Sequence, residues 1–301
     1  MAKKVSAAFP LALVGAWSYK DSMSLRFDAP SSLQYFATLV QSDEHLPLME
    51  AAVCIAQDEF PELDIQAVLA DIDQMQVRLA RHLVGAHTPL QRLKVLNHFF
   101  FGEMGFGGNV NNYYAPENSY IPVVLATRRG IPVSLALVWL ELAQATGLQA
   151  AGIAFPGHFL LKVGLPEGQV VMDPLTGTSF SAQELAQRLE PFGLGRGRRE
   201  DTIPLGLHLQ AATARDILER LLRNLKEIYF AQSQWALLTA TLDRLIVLLP
   251  DDWAEYRDRG AVLAEQGRTR EAVADWETYL LHAGDRPDAG LIANRLSALK
   301  G

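Results

Sequence analysis

Of 301 residues only one, Cys54, is a cysteine. A single thiol excludes an intramolecular disulfide framework and a cysteine-rich zinc site. It lies in the apolar-periodic stretch LPLMEAAVCIAQDEF, where it reads as a small buried hydrophobe, and it suits a reducing compartment. No run approaches the roughly 20 apolar residues needed to span a bilayer. An excess of basic charge is also missing: 27 Lys and Arg stand against 34 Asp and Glu, a formal net charge of -7. Nucleic acid and membrane surfaces are therefore not expected as partners, because both are drawn to basic faces. H-E-x-x-H, paired-cysteine and glycine-rich phosphate-loop patterns are absent and the seven histidines are scattered, so neither metal nor cofactor is expected.

What remains is ordinary globular composition, 49% hydrophobic and 20% charged. Residues 1–29 read as a disordered N-terminal extension. Lys3 and Lys4 precede a short apolar run, but Pro10 interrupts it and no A-x-A site follows, which argues against a secretory signal. Met23 offers an alternative start that leads directly into the first helical pattern. A cytoplasmic location is the expectation.

A first domain is expected over 30–205. Helical periodicity runs from Pro30 to about Leu83, and a further helix, PLQRLKVLNHFFFGEM, ends in the turn-rich segment GFGGNVNNYYAPENSY. Next comes a short helix, SYIPVVLATRR, with Gly130 as its expected stop. SLALVWLELAQAT is apolar on nearly every side, the mark of a helix buried in a domain centre. LQAAGIAF, HFLLKV and QVVMDP then read as short strands, giving an α+β arrangement of a buried helix and an antiparallel meander. Ser181 and Glu184 form a capping-box pattern ahead of one more helix, and PFGLGRGRREDTIP reads as a linker in which Arg196, Arg198 and Arg199 are solvated. Residues 211–301 are all helix with a 34-residue period: Gly260, Ala272 and Trp276 occupy the small, alanine and aromatic positions of a tetratricopeptide unit. A degenerate copy places Lys226, Leu238 and Leu242 there and ends at Pro250.

Three residues stand where chemistry is plausible, in the order nucleophile, base, orienter: Ser134, His158 and Asp173. If HFLLKV and QVVMDP form a hairpin pairing Val163 with Val170, Asp173 lies opposite Leu160 and on the same face as His158, within reach of a hydrogen bond. The run RRGIPVSLALVWLELAQATGL…GIAFPGHFLLKV…VVMDPLTG resembles the transglutaminase-like, papain-like core. With FFFGEMGFGGNVNNYYAPENSYI upstream and the repeat downstream, the chain resembles the bacterial SirB-type family of transglutaminase-like proteins with tetratricopeptide repeats. The resemblance covers roughly residues 30 to 285 and implies a nucleophile at a helix start followed by histidine and aspartate on successive strands. Here Ser134 stands where active transglutaminases carry cysteine. A thiol can rest as thiolate beside a helix N-terminus and an imidazolium, whereas a serine must lose its proton to the base during attack.

Each residue also has a purely structural reading. Ser134 suits an N-cap after the turn at Gly130, Ile131 and Pro132; His158 suits a hydrogen-bonded core position, and Asp173 before Pro174 suits a turn. Asn109, Asn111, Asn112 and Asn118 can supply turn dihedrals, with Asn118 or Ser119 starting the next helix. Alternatively Asn109, Asn112, Tyr113, Tyr114 and Asn118, with Tyr120, line a groove for a peptide or small ligand. Glu103 is either a buried acid supporting that loop or part of the site. The leading expectation is a non-catalytic transglutaminase-like domain joined to a repeat that binds another protein or peptide. The competing one is a Ser-His-Asp acyl transferase or hydrolase acting on an amide or ester.

Overall fold

Local capping starts three of the first four helices of the computed structural model, which describes residues 30–194 and 204–300. The N-terminal extension with Met23 and the linker residues Arg196, Arg198 and Arg199 lie outside the described residues. Ser31 accepts from the Gln34 N–H while the Gln34 side chain accepts from the Ser31 N–H, opening α1 (Ser32–Leu39). The apolar α2 (Leu48–Ile55) buries Cys54. Asp64 caps α3 (Ile65–His82), whose buried Ile65, Val68, Ile72, Met75 and Leu79 keep helical spacing. Pro89 and a Thr88–Gln91 capping box start α4 (Pro89–Asn97), which widens into a π-helical turn over His98–Glu103.

The turn-rich loop carries β1 (Gly107–Gly108), and after α5 (Ile121–Thr127) comes β2 (Arg129–Gly130), paired parallel to β1. The left-handed residue closing α5 is Arg128 (φ 61), whose N–H donates to the Val124 carbonyl. Gly130, the expected stop, belongs instead to β2. Then α6 (Pro132–Gln144) buries nearly its whole circumference, including Trp139. The meander follows in sequence order: β3 (Ala150–Ile153), β4 (Leu160–Leu165), β5 (Gly168–Met172) and β6 (Ser179–Phe180), all antiparallel. Val163 faces Val170, as the alternation of side chains requires. Phe159, Leu161, Val163 and Met172 pack into the main core with α6. Leu160 and Val171, on the other face, meet Leu185 and Leu189 of α7 (Ala182–Leu189). This is the expected α+β fold.

After the short α8 (Leu205–His208) the chain is helical: α9 (Ala214–Ala231), α10 (Trp235–Leu248), α11 (Trp253–Glu265), α12 (Thr269–Ala283) and α13 (Ala289–Lys300). Its second pair has the expected close approach. A Cβ on Gly260 would stand 2.5 Å from the Trp276 ring, and Ala272 is fully buried. In the first pair Lys226 replaces the small residue, and its ammonium bridges to Glu255 (2.5 Å) and Asp258 (2.7 Å) of α11. The core does not stop where the repeat begins. Leu218, Leu221 and Leu225 of α9 and Leu242 and Leu245 of α10 join α6 and the lead-in helices in one apolar cluster. Arg244, 1% exposed, clamps Asp58 with two bonds of 2.6 and 2.7 Å and lies over Phe36. Residues from Ser31 onward make one compact unit.

Candidate functional site

Ser134 is the third residue of α6 and is fully buried. Its hydroxyl donates to the Asn118 carbonyl at 2.6 Å and accepts from the Ile131 N–H at 3.1 Å. The N-cap position belongs to Ile131, so Ser134 is not the cap; it reaches back to satisfy the N–H of the residue that is. Backbone approaches this hydroxyl so closely that a Cβ at Gly130 would lie 2.6 Å from it, which requires glycine there.

Asn118, 3% exposed, organises the loop that meets Ser134. Its amide nitrogen donates to the carbonyls of Asn112 (2.7 Å) and Tyr113 (3.1 Å), and its side-chain oxygen accepts from Asn109 at 2.9 Å. Asn109 in turn accepts from the Asn112 N–H at 3.2 Å. Asn118 and Ser119 do not start α5, which opens at Tyr120. They sit in a 3-10 turn at Pro116–Ser119 that faces α9. There the Asn224 amide donates to the Ser119 hydroxyl at 2.8 Å, and the Tyr120 and Tyr229 hydroxyls pair in the interior. Burial pushes both phenols up, Tyr229 to about 12. Tyr113 and Tyr114 are exposed and pack edge-on at 5.3 Å. Glu103 is neither buried nor tied to the loop; it is exposed, with its carboxylate on Arg78 (2.8 Å) and His82 (3.1 Å) of α3.

The other half of the expected constellation is assembled. His158 ends a turn closed by its own N–H to the Phe155 carbonyl, and its Nε2 lies 3.3 Å from Asp173 Oδ1. The same oxygen accepts from the Leu175 N–H at 2.8 Å. Burial pushes the Asp173 carboxyl up, but the bonds from His158 and Leu175 outweigh it and hold the group below its ordinary value of 3.8. The surroundings come from α7 and the 3-10 turn after it: Arg188 of α7 adds positive charge near Asp173, and the ring of Phe192, in the turn Glu190–Phe192, backs on to Gly157. The turn after Asp173 also touches β1, where a Cβ at Gly108 would lie 3.3 Å from the Leu175 side chain. The two halves thus meet where the Leu175 side chain packs on Gly108, while the Ser134 hydroxyl bonds main chain and not His158. An imidazole oriented by a carboxylate can move a proton; a hydroxyl held by two main-chain groups is a staple.

Residues 66–223 match the transglutaminase-like superfamily, and residues 225–297 match the tetratricopeptide repeat. A UPF0162 protein of Xylella fastidiosa (strain Temecula1) is 38% identical over 242 residues, 79% of this chain and 84% of the relative. The chain belongs to the UPF0162 family. Its UPF0162 relatives include a Vibrio cholerae protein, 27% identical over 255 residues (84% of this chain, 93% of the relative), and YchA of Escherichia coli, 25% identical over 254 residues (83% and 92%). No solved structure matches. In this UPF0162 chain the two matched regions meet inside α9, the helix that supplies Asn224 and Tyr229. Sequence reasoning missed both residues. They lie 105 and 109 positions from Ser119 and Tyr120, and no local pattern announces so distant a partner.

Proposed function

We propose that this UPF0162 protein is a non-catalytic transglutaminase-like domain that acts as a regulatory or scaffold module, binding a partner protein through the groove of its C-terminal helices. The observation that carries the reading is the Ser134 hydroxyl, fully buried and donated to the Asn118 carbonyl at 2.6 Å. Attack by serine needs its proton directed at a base and its oxygen open to substrate. Neither condition holds there. The tetratricopeptide match supports partner binding, since stacked helix pairs of this kind present concave protein-binding surfaces. Among the described residues no helix is long and apolar enough to cross a membrane. The free, buried Cys54 suits a reducing compartment, and the cytoplasm is the proposed location.

A second reading, a Ser-His-Asp acyl transferase or hydrolase, draws on the assembled His158–Asp173 pair. It requires Ser134 to leave both main-chain partners and become accessible. A fluorophosphonate probe followed by mass spectrometry separates the two. The proposal expects no adduct at Ser134 in the native protein, while stoichiometric labelling that disappears in Ser134→Ala would establish the enzyme.

A further inference from the structure

The groove between α9, α10, α11 and α12 encloses about 930 Å³ over a floor of Leu238, Leu242, Val262 and Trp276. Phe230, 65% exposed, stands at one end, edge-on to Trp235 with ring centroids 6.4 Å apart. The two cations of α9 that line the groove are already neutralised: Arg223 bonds Glu219, Asp252 and Glu255, and Lys226 bonds Glu255 and Asp258. Two further carboxylates on the lining, Glu227 and Glu265, have no partner among the described residues. Both belong to the aromatic end. Glu227 precedes Phe230 by one turn of α9, and Glu265 adjoins Gln266, whose amide donates to the Trp235 carbonyl at 2.8 Å. Unneutralised carboxylates beside two aromatic rings, above an apolar floor, attract a cation carried on an apolar chain.

We propose that this groove docks a segment of a partner protein that presents apolar side chains flanked by lysine or arginine. The cation sits among Glu227, Glu265, Phe230 and Trp235, and the apolar side chains cover the leucine and Trp276 floor. The inference rests on the partner-binding reading above and adds the chemistry of the partner. Arg295 also lines the groove and is likewise unpaired among the described residues. It lies on α13, which packs against α12, so this unpaired cation stands on a different helix from the two carboxylates.

Fluorescence anisotropy on the full chain tests this with a labelled synthetic peptide alternating leucine and lysine, set beside a counterpart with glutamate for every lysine. The lysine peptide should bind roughly tenfold or more tightly than the glutamate peptide, and Glu227→Gln with Glu265→Gln should remove most of that advantage. Phe230→Ala should weaken binding as well. All three side chains are exposed, so circular dichroism should report an unchanged fold. Equal or tighter binding of the glutamate peptide, or indifference to the paired glutamine variant while Phe230→Ala still weakens binding, overturns the cation preference and leaves the groove as a docking surface. Absence of binding by either peptide, or binding that ignores Phe230→Ala, removes the groove itself and with it the proposed place of partner binding.

Discussion

At the scale of single residues the three candidate side chains divide: the Ser134 hydroxyl donates to the Asn118 carbonyl, while His158 turns to Asp173. His158 and Asp173 are paired, and the carboxyl of Asp173 is held below 3.8 by the groups it accepts from. A depressed carboxyl contributes stability that is complete above its unfolded value and is lost as pH falls through its folded value. Asp173→Asn should therefore lower the melting temperature at neutral pH, and its difference from the native protein should narrow as pH drops below about 3.8. Thermal melts across an acid pH series check this. A difference that stays constant with pH would show that the ionised carboxylate is not what the site relies on.

Among elements, the α11–α12 pair offers the sharpest test of the repeat. Helix propensity favours Gly260→Ala by about 1 kcal/mol, whereas overpacking costs about 1–3 kcal/mol. The indole of Trp276 is pinned by its Nε1 bond to the Arg257 carbonyl at 3.1 Å, so it cannot swing away from a Cβ that would arrive at 2.5 Å. Overpacking should win, and Gly260→Ala should unfold at lower denaturant; a neutral or stabilised variant would contradict the close approach. This pair was legible in the sequence because its signals, a small residue and an aromatic at fixed spacing, are local. So was the Val163–Val170 register, which alternation and a tight turn dictate. The orientation of Ser134 was not legible. Whether a serine near a helix start caps the helix, attacks a substrate or reaches back depends on where Asn118, sixteen positions away, places its carbonyl. Nor was the end of α5 legible: Arg128 takes the left-handed conformation there, while Gly130 lies beyond it, against the Ser134 oxygen.

For the molecule as a whole, α9 and α10 complete the core that surrounds α6, and Arg244 is buried on Asp58 of the lead-in segment. Leaving either charge without its partner costs about 3–5 kcal/mol. Calorimetry should accordingly show one cooperative transition shared by the α+β core and the C-terminal helices, shifted down as a unit by Arg244→Ala. Two separable transitions, with only the C-terminal one moved, would mean that the repeat folds independently.

The account turns on Ser134, and equilibrium urea unfolding of Ser134→Ala tests it most directly. The substitution leaves the Ile131 N–H without its acceptor and removes the 2.6 Å bond to Asn118 that ties the loop to α6. A buried staple predicts a loss of about 1–3 kcal/mol at an unchanged m value. A nucleophile held for chemistry contributes little to folding, so a variant as stable as the native protein, or more so, would contradict the structural role assigned here.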